Sequence, residues 1–361
     1  MASKATVERW LSELTQIPTA SGLEQEVMGW VGRWVARRPD LRLTRDSGGN
    51  LLITQKGRKR HPLVVAVAHM DHPAFVVTDG LGFEFRGGVD AAYFEHALIE
   101  VVSRPGGARL RVTEYDETTE TGQLAVVKAG VVEPGDIAMW VFPSSRLPEG
   151  LFEAPACDDL AGVIASLAAL DRARANPSLR HYGVLLTRAE EVGLIGALHA
   201  ARGRTVPIDT RIISIETSRE LPIAPLGAGP IIRTGDRASV FDPDLTNRIS
   251  RAAAVSGLRH QRKLMDGGGC EATAFGGLGY RSTGLCVALR NWHNRGNLDE
   301  VQAGIGEAVA MREQISLEDF HGLVDLILLS AAAVDEDSGL AERLERLYEE
   351  RCHILEEGNS E

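Results

Sequence analysis

The chain has 361 residues, which is enough for about two domains of ordinary size. Hydrophobic residues make up 44% of the sequence and charged residues 25%, so the chain can bury a core and is not of the disordered class. Acidic residues outnumber basic ones by 50 to 39, and the net charge is −11. This sign excludes nucleic acid as the expected partner, because binding to phosphates needs a basic surface.

The hydrophobic pattern predicts alternating helices and strands in the first and last parts of the chain. Helices at 5–17 and 23–37 precede strands at 51–54 and 62–71, and the second strand is apolar enough to be covered on both faces. The later predicted elements are helix 160–174, strand 182–187, helix 193–202, strand 211–216, helix 244–256, strand 284–289, helix 298–313 and helix 317–334. This order is typical of an α/β fold with a mixed, mainly parallel sheet flanked by helices.

The segment between these two parts has a different texture. From 73 to 150, short β-like pieces alternate with glycine, proline and charged turns, which predicts a smaller β-rich domain inserted into the α/β domain. Residues 1–72 and 151–361 would then form one discontinuous domain. The end of that domain, 335–361, is charged and helix-prone, and its apolar face is too narrow to place it against the core.

Cysteine usage and apolar stretches predict the compartment. The four cysteines are scattered and form no closely spaced pair, which fits a reducing cytoplasm. The first residues lack a signal-peptide pattern, and the longest apolar stretch near the C-terminus is short and contains Asp325. We therefore expect a soluble cytoplasmic protein with no membrane partner.

Histidines and acidic residues cluster where predicted strands end. They are His69 and Asp71 after the strand at 62–71, Glu190 and Glu191 after 182–187, Glu216 at the end of 211–216, and His293 after 284–289. Ligands of open α/β sheets bind beyond the carboxyl ends of the strands, so four segments would deliver polar side chains to one edge.

The histidines also have ordinary structural explanations. His69 and Asp71 are two residues apart, so on a strand they would share one face, and the carboxylate could orient the imidazole. Alternatively, His69 is a core histidine beside a surface aspartate. His293 taken alone is most simply a loop histidine.

The acidic residues leave similar alternatives. Asp158 and Asp159 precede an apolar helical pattern, where aspartate is a common N-cap. Glu190 and Glu191 could lie in a solvated turn, although their apolar flanks disfavour it, and adjacent carboxylates favour a bound cation. Glu216 follows a buried-looking strand, where an unpaired carboxylate is costly.

Taken together, these side chains make a set of nitrogen and oxygen ligands that suits zinc or a similar divalent ion. The set is large enough for two metal ions that share one carboxylate. Such a centre activates water and polarises a carbonyl group, with a free carboxylate nearby as general base.

Five motifs give the chain a family resemblance. AHMD (68–71), CDDLAG (157–162), AEEVGLIGA (189–197), DGGGCEA (266–272) and ALRNWHN (288–294) occur in the order found in dinuclear zinc aminopeptidases. The chain resembles the glutamyl-aminopeptidase and tetrahedral-aminopeptidase type of this family over most of its length. The resemblance implies the zinc-peptidase fold and the dinuclear metal centre.

Residue by residue, the resemblance implies a ligand set. Asp158 would bridge the two ions, His69 and Glu216 would complete one site, and Glu191 and His293 would complete the other. The metals would be zinc, with cobalt or manganese as alternatives, because nitrogen and oxygen ligands accept all three.

The resemblance also implies catalytic roles. Glu190 would be the general base, Asp71 would orient His69, and the peptide bond between Asp158 and Asp159 would be cis. The implied activity is removal of N-terminal residues from peptides. Relatives assemble through the inserted domain, so we expect a homo-oligomer, a dimer or larger.

Four positions depart from the aminopeptidase pattern. Glu216 stands where the family usually has Asp, His72 where it usually has Glu, and Leu160 where an Arg commonly follows the two aspartates, and Glu271 lies near a position that is usually Asp. A glutamate is a competent ligand one methylene longer, so Glu216 is compatible with metal binding and bears on substrate specificity.

Two other functions remain open from the sequence. A metal-dependent deacylase or amidohydrolase acting on N-acyl amino acids or small amides is one, because Glu216 is familiar among those relatives. Those relatives insert their extra domain between the fourth ligand and the last histidine. Here 88 residues lie between His69 and Asp158, and this interval contains the β-rich segment, as in the aminopeptidases. The other is a non-catalytic protein that uses the β-rich insert as a binding module.

Overall fold

A computed structural model of the protein describes residues 1–57, 63–144, 147–265, 267–334 and 339–355. Its helices are α1 (Lys4–Leu14), α2 (Gln25–Ala36), α3 (Leu160–Ala173), α4 (Ile195–Arg202), α5 (Pro243–Ser256), α6 (Glu271–Gly277), α7 (Leu298–Gln302), α8 (Leu317–Ala333) and α9 (Leu340–Arg351). Among the described residues, no helix has the length and apolar character needed to cross a membrane.

The strands are numbered in chain order. They are β1 (Leu41–Arg45), β2 (Leu51–Gln55), β3 (Val64–His69), β4 (Ala74–Val77), β5 (Gly82–Arg86), β6 (Leu98–Val101), β7 (Arg109–Asp116), β8 (Thr121–Lys128), β9 (Ile137–Trp140), β10 (Leu151–Ala154), β11 (Tyr182–Thr187), β12 (Arg211–Arg219), β13 (Ile231–Asp236), β14 (Gln261–Met265), β15 (Arg281–Leu289), β16 (Arg295–Gly296), β17 (Val309–Ala310) and β18 (Glu313–Ser316).

An eight-stranded sheet forms the centre of the α/β part. Its strand order is β1-β2-β11-β3-β12-β15-β13-β14. The middle four strands, β11, β3, β12 and β15, pair in parallel, while β1, β2 and the contact of β13 with β15 are antiparallel. The predicted mixed α/β fold is therefore confirmed, with its parallel strands at the centre.

Hydrophobic clusters cover both faces of this sheet. Successive side chains of a strand point to opposite faces, and β3 shows the result. Val64 and Ala66 join the larger cluster with α1, α2, α3, α5 and α8, whereas Val65 and Val67 join a second cluster with α4 and α6. Every residue of β3 is buried, as its continuous apolar run predicts.

The segment between β3 and β10 contains a closed barrel. Its strand order is β4-β5-β8-β7-β6-β9, with antiparallel pairing between the neighbours. The barrel has its own hydrophobic cluster, in which the Phe75 ring lies 5.0 Å from Phe85 and 4.9 Å from Trp140, between ring centroids. The β-rich texture of this stretch thus reflects short strands that close on themselves.

The prediction of one helix over 298–313 is wrong. Helix α7 ends at Gln302, because Gly304 takes the left-handed conformation at φ +72°. The chain then turns back, and β17 pairs with β16, while β18 pairs with β10. The residues around Val309 and Glu313 are therefore extended.

Parts of the sequence predictions fall outside the described residues. These are 58–62, which include the first position of the predicted strand, 145 and 146 of the predicted insert, Asp266 of the glycine-rich motif, and 335–338 and 356–361 of the tail. The described part of the tail is helical in α9, and no α9 side chain is buried. This agrees with the predicted helical tendency and the narrow apolar face.

Candidate metal centre

The candidate residues meet at the carboxyl ends of the four parallel strands. His69 is the last residue of β3, Glu190 and Glu191 follow β11, and His293 lies in the short helical turn after β15. Asp158 directly precedes the N-cap of α3. The edge beyond parallel strands is where open α/β sheets bind ligands, as the sequence predicts.

Glu216 was predicted to be the last residue of its strand, but it lies inside β12. Strand β12 continues to Arg219, because its pairing with β15 continues until Arg219 meets Leu289. The pairing of β12 with β3 stops earlier, at Ser214 and Val67. Glu216 therefore lies just beyond the point where β3 and β12 separate, and its side chain lines the crevice.

Two groups of side chains share Asp158. Ligand atoms of His69, Asp158 and Glu216 lie within 4.8 Å of one another, and so do those of Asp158, Glu191 and His293. The Nε2 atom of His69 is 3.4 Å from Asp158 Oδ1, and that of His293 is 3.5 Å from Asp158 Oδ2. Each oxygen of the shared carboxylate thus faces a different histidine.

A third grouping includes the other glutamate of the adjacent pair. His69, Glu190 and Glu191 also offer ligand atoms within 4.8 Å of one another, and Glu190 Oε2 is 3.9 Å from His69 Nε2. His293 Nε2 is closer to Glu191, at 3.2 Å from Oε2. Both glutamates therefore reach the cluster.

Hydrogen bonds fix the orientation of both imidazole rings. The Nδ1 atom of His69 lies 3.1 Å from the backbone oxygen of Asp71, and that of His293 lies 2.8 Å from the backbone oxygen of Gly88. In each ring Nε2 is left to face the carboxylates. This is the usual arrangement for metal-binding histidines, in which a second hydrogen bond sets the tautomer and the ring direction.

Asp71 contacts the glutamate loop as well as His69. Its Oδ1 atom is 3.5 Å from His69 Nδ1 and accepts a hydrogen bond from the backbone N–H of Glu190. Its Oδ2 atom accepts bonds from the backbone N–H of Glu191 and the hydroxyl of Ser21. Asp71 therefore holds the backbone of both glutamates, a role that strand spacing alone does not indicate.

The electrostatics of the cluster favour a bound cation. Burial opposes the charged form of His293, but Glu191 and Asp158 raise its pKa to about 10. Burial and neighbouring acidic groups raise the pKa of Glu216 and Glu190 well above the usual range. A divalent cation removes this conflict, because it binds neutral imidazoles and ionised carboxylates together.

Unpaired oxygen atoms give a second indication of the same kind. Asp158 Oδ1 and Glu191 Oε1 are buried and have no hydrogen-bond partner among the described residues. Buried polar atoms are nearly always paired in native proteins, so these oxygens point to a ligand. Their surroundings, two imidazoles and several carboxylates, fit zinc or a similar divalent ion.

The two aspartates have different roles. The peptide bond between Asp158 and Asp159 is cis, as the resemblance implies. Asp159 caps α3, and its Oδ1 accepts a hydrogen bond from the N–H of Gly162. A Cβ atom at 162 would lie 2.2 Å from that oxygen, so glycine is required there. The N-cap explanation therefore holds for Asp159, while Asp158 points into the cluster.

The positions that depart from the family pattern are buried around the centre. His72 contacts the backbone oxygen of Asp158 through Nδ1 at 2.6 Å. Leu160 lies in the main hydrophobic cluster, where it contributes no charge to the site. Glu271 is fully buried and accepts hydrogen bonds from Thr187 and Ser214. Of these three residues, His72 thus contacts a candidate ligand directly.

Three residues around the site escape a sequence prediction. Trp292 donates a hydrogen bond from Nε1 to Asp158 Oδ2 at 2.9 Å. The one indication of this role in the sequence is that Trp292 directly precedes His293. Arg233 is buried in the wall of the cavity of about 370 Å³ that opens onto the cluster. Glu313 accepts a hydrogen bond from the backbone N–H of His293. Neither Arg233 nor Glu313 belongs to a motif.

Comparison with known families agrees with this geometry. The sequence model of the M42 glutamyl aminopeptidase family matches residues 119–305, which is more than half of the chain. The chain belongs to this family. The family membership identifies the protein as a peptidase hydrolase and supports a metal-dependent aminopeptidase. The deacylase alternative is not favoured. A comparison with curated proteins gave no match.

Solved structures share the fold over nearly the whole chain. The TET1 peptidase of Pyrococcus horikoshii, described as able to assemble into a tetrahedron or a large octahedral shell, is 24% identical with a TM-score of 0.71, and the match covers 91% of this chain and 99% of that one. The TET aminopeptidase of Thaumarchaeota archaeon SCGC AB-539-E09 is 19% identical, with a TM-score of 0.73 and coverage of 92% and 97%. At these identities the likeness concerns the fold alone.

Proposed function

We propose that the protein is a dinuclear aminopeptidase that removes N-terminal residues from peptides. The observation that carries the proposal is the pair of ligand groups joined by Asp158. One ion would be held by His69, Asp158 and Glu216, and the other by Asp158, Glu191 and His293. Zinc suits this donor set, and cobalt or manganese would also be accepted.

Each group has a proposed role in hydrolysis. The bound ions would supply Lewis acidity, which polarises the scissile carbonyl and makes water more acidic. Glu190 is proposed as the general base, which takes a proton from the attacking water and passes it to the leaving amine. Its raised pKa, caused first by burial, suits a group that must both accept and return a proton. Asp71 would keep His69 and the Glu190 backbone in position.

The chain is proposed to consist of two domains and to form an oligomer. We assign 1–72 and 151–361 to a discontinuous catalytic domain and 73–150 to an inserted domain, supported by the separate hydrophobic cluster of the barrel. A homo-oligomer is proposed because related structures are described as a dodecamer and as a tetrahedral or octahedral assembly. The four free cysteines fit a reducing cytoplasm.

The first experiment combines metal analysis with substrate choice. Elemental analysis of the purified protein is expected to give two ions per chain. Hydrolysis is then measured on aminoacyl and N-acetyl-aminoacyl chromogenic substrates, and we expect cleavage of the free-amine series alone. Cleavage of the acetylated series would contradict the aminopeptidase proposal, and fewer than two ions would contradict the dinuclear centre.

The role of Glu190 is tested by Glu190→Gln. The amide cannot accept the proton, so we expect kcat to fall by about 10²–10⁴-fold, while metal content and thermal stability stay close to wild type. Glu117→Gln, an exposed glutamate in the β7–β8 turn, makes the same chemical change away from the site and is the matched control. Full activity in Glu190→Gln would assign the base elsewhere.

A further inference from the structure

Glu313 is a buried carboxylate at the start of β18. The residue is fully buried, and β18 pairs with β10 so that Glu313 lies opposite Ala154. From Ala154 the chain continues through 155–157 to Asp158, the carboxylate shared by the two ligand groups. Glu313 is thus brought against two segments that are distant in sequence, the loop of Asp158 and the turn that carries His293.

Its two oxygens divide between those segments. Oε2 accepts hydrogen bonds from the backbone N–H groups of Cys157, at 2.7 Å, and Asp158, at 2.9 Å. Oε1 accepts a bond from the backbone N–H of His293, at 2.8 Å. One rigid carboxylate therefore fixes the backbone of two proposed ligands relative to each other. Charge-assisted bonds of this kind are stronger than those between neutral groups.

The arrangement is uneven across the two proposed ion sites. Asp158 is common to both sites, and His293 belongs to the site completed by Glu191. The other histidine, His69, is oriented by Asp71 and is not among the hydrogen-bond partners of Glu313. Loss of the Glu313 bonds should therefore disturb the His293 side of the centre first.

We infer that Glu313 is a positioning residue that ties Asp158 to His293 and thereby sets the affinity of the Asp158–Glu191–His293 ion site. The inference rests on the proposed dinuclear centre. Residues that hold metal ligands in place change metal affinity or activity by about 10–100-fold when they are substituted. A merely structural carboxylate at this position would change stability without favouring one site over the other.

The test is the variant Glu313→Gln. An amide has one accepting oxygen, and turning it towards Cys157 and Asp158 keeps two bonds while its NH₂ group faces the N–H of His293, donor against donor. With zinc titrated against a chelating dye, we expect one ion to bind as in wild type and the second to bind about 10–100-fold more weakly. Excess zinc should restore kcat.

Asp319 offers a matched control. This buried aspartate also accepts backbone N–H bonds with both oxygens, from Gly227 and Gly229, and neither glycine lines the cavity of the site. Asp319→Asn makes the same change of acid to amide in the same kind of contact. We expect it to lower the thermal stability and to leave both zinc affinities unchanged.

Each outcome decides the inference. Wild-type affinity for both ions in Glu313→Gln, or equal weakening of both, overturns it. If wild type itself binds fewer than two ions, the proposed dinuclear centre fails, and amide hydrogen exchange then tests the inference. Faster exchange at the His293 amide in Glu313→Gln, but not in Asp319→Asn, supports the link between Asp158 and His293. Unchanged exchange in Glu313→Gln overturns it. Should Glu313→Gln not fold, Glu313→Asp keeps both oxygens one methylene short, and the same selective loss is expected.

Discussion

The interior of the barrel and the candidate metal centre are two buried regions of opposite composition. The barrel is filled by aromatic and aliphatic side chains, and Phe75 contacts Phe83, Phe85, Phe94 and Trp140 with ring centroids 4.9–5.6 Å apart. Such packing needs nothing from outside the chain. The packing around Phe75 should therefore need no ligand.

The metal centre lacks this independence. It gathers two histidines and several carboxylates, and buried oxygens of Asp158 and Glu191 stay unpaired among the described residues. A folded chain keeps such a cluster only because the rest of the structure is stable enough to hold it. Comparison of the two regions shows how a site can be recognised: its polar atoms need a partner that the chain does not supply.

The largest expected effect on stability comes from the barrel. Phe75→Ala removes a fully buried ring and should lower the free energy of unfolding by about 3–5 kcal/mol. Urea unfolding measures this loss. It should be the same with zinc and with a chelator, because the cavity lies in a region without metal ligands. A loss that depended on zinc would show that the barrel and the centre are coupled.

Removal of metal should have the next largest effect. At a free zinc concentration 10 times the dissociation constant, each of the two proposed sites stabilises the folded state by about 1.4 kcal/mol, which is about 2.8 kcal/mol for both. We expect a chelator to remove that stabilisation and all hydrolysis, and zinc to restore both. Calorimetry with and without chelator measures the change. In Phe75→Ala the chelator should cause the same loss, since distant changes add.

The sequence was sufficient for the features that repeat a local pattern. The apolar run of β3 predicted a buried strand, and the polar residues after β3, β11 and β15 predicted the site edge. Helix 298–313 was predicted wrongly because its apolar spacing hid the effect of Gly304 on the backbone. Local periodicity cannot register a single left-handed residue that reverses the chain.

Contacts between distant segments could not be predicted from the sequence. Glu313 is 155 residues from Asp158 and 20 from His293, and its neighbours predicted an ordinary helix end. Arg233 lies on β13, a strand that is absent from the elements predicted from the sequence. Such residues are recognised by the partners that the fold brings to them, and one sequence carries no record of those partners.

The pH dependence of stability should also differ between the barrel and the candidate metal centre. His293 has its pKa raised to about 10 from 6.5, and the pKa of Glu216 is raised from 4.5. Both groups bind protons more tightly in the folded chain. Their contribution is therefore fully present below the unfolded pKa and is lost as the pH rises through the folded value.

Chelated protein should accordingly become less stable as the pH rises from 6.5 towards about 10, the interval set by His293. Each proton that the folded state binds in excess changes the free energy of unfolding by about 1.4 kcal/mol per pH unit. Zinc should oppose this trend, because it competes with the protons for the same atoms and binds more tightly as they leave. Urea unfolding across this interval, with zinc and with chelator, should therefore give two curves that separate with rising pH. Parallel curves would mean that neither His293 nor Glu216 binds its proposed ion. Phe75→Ala should shift both curves by one constant amount.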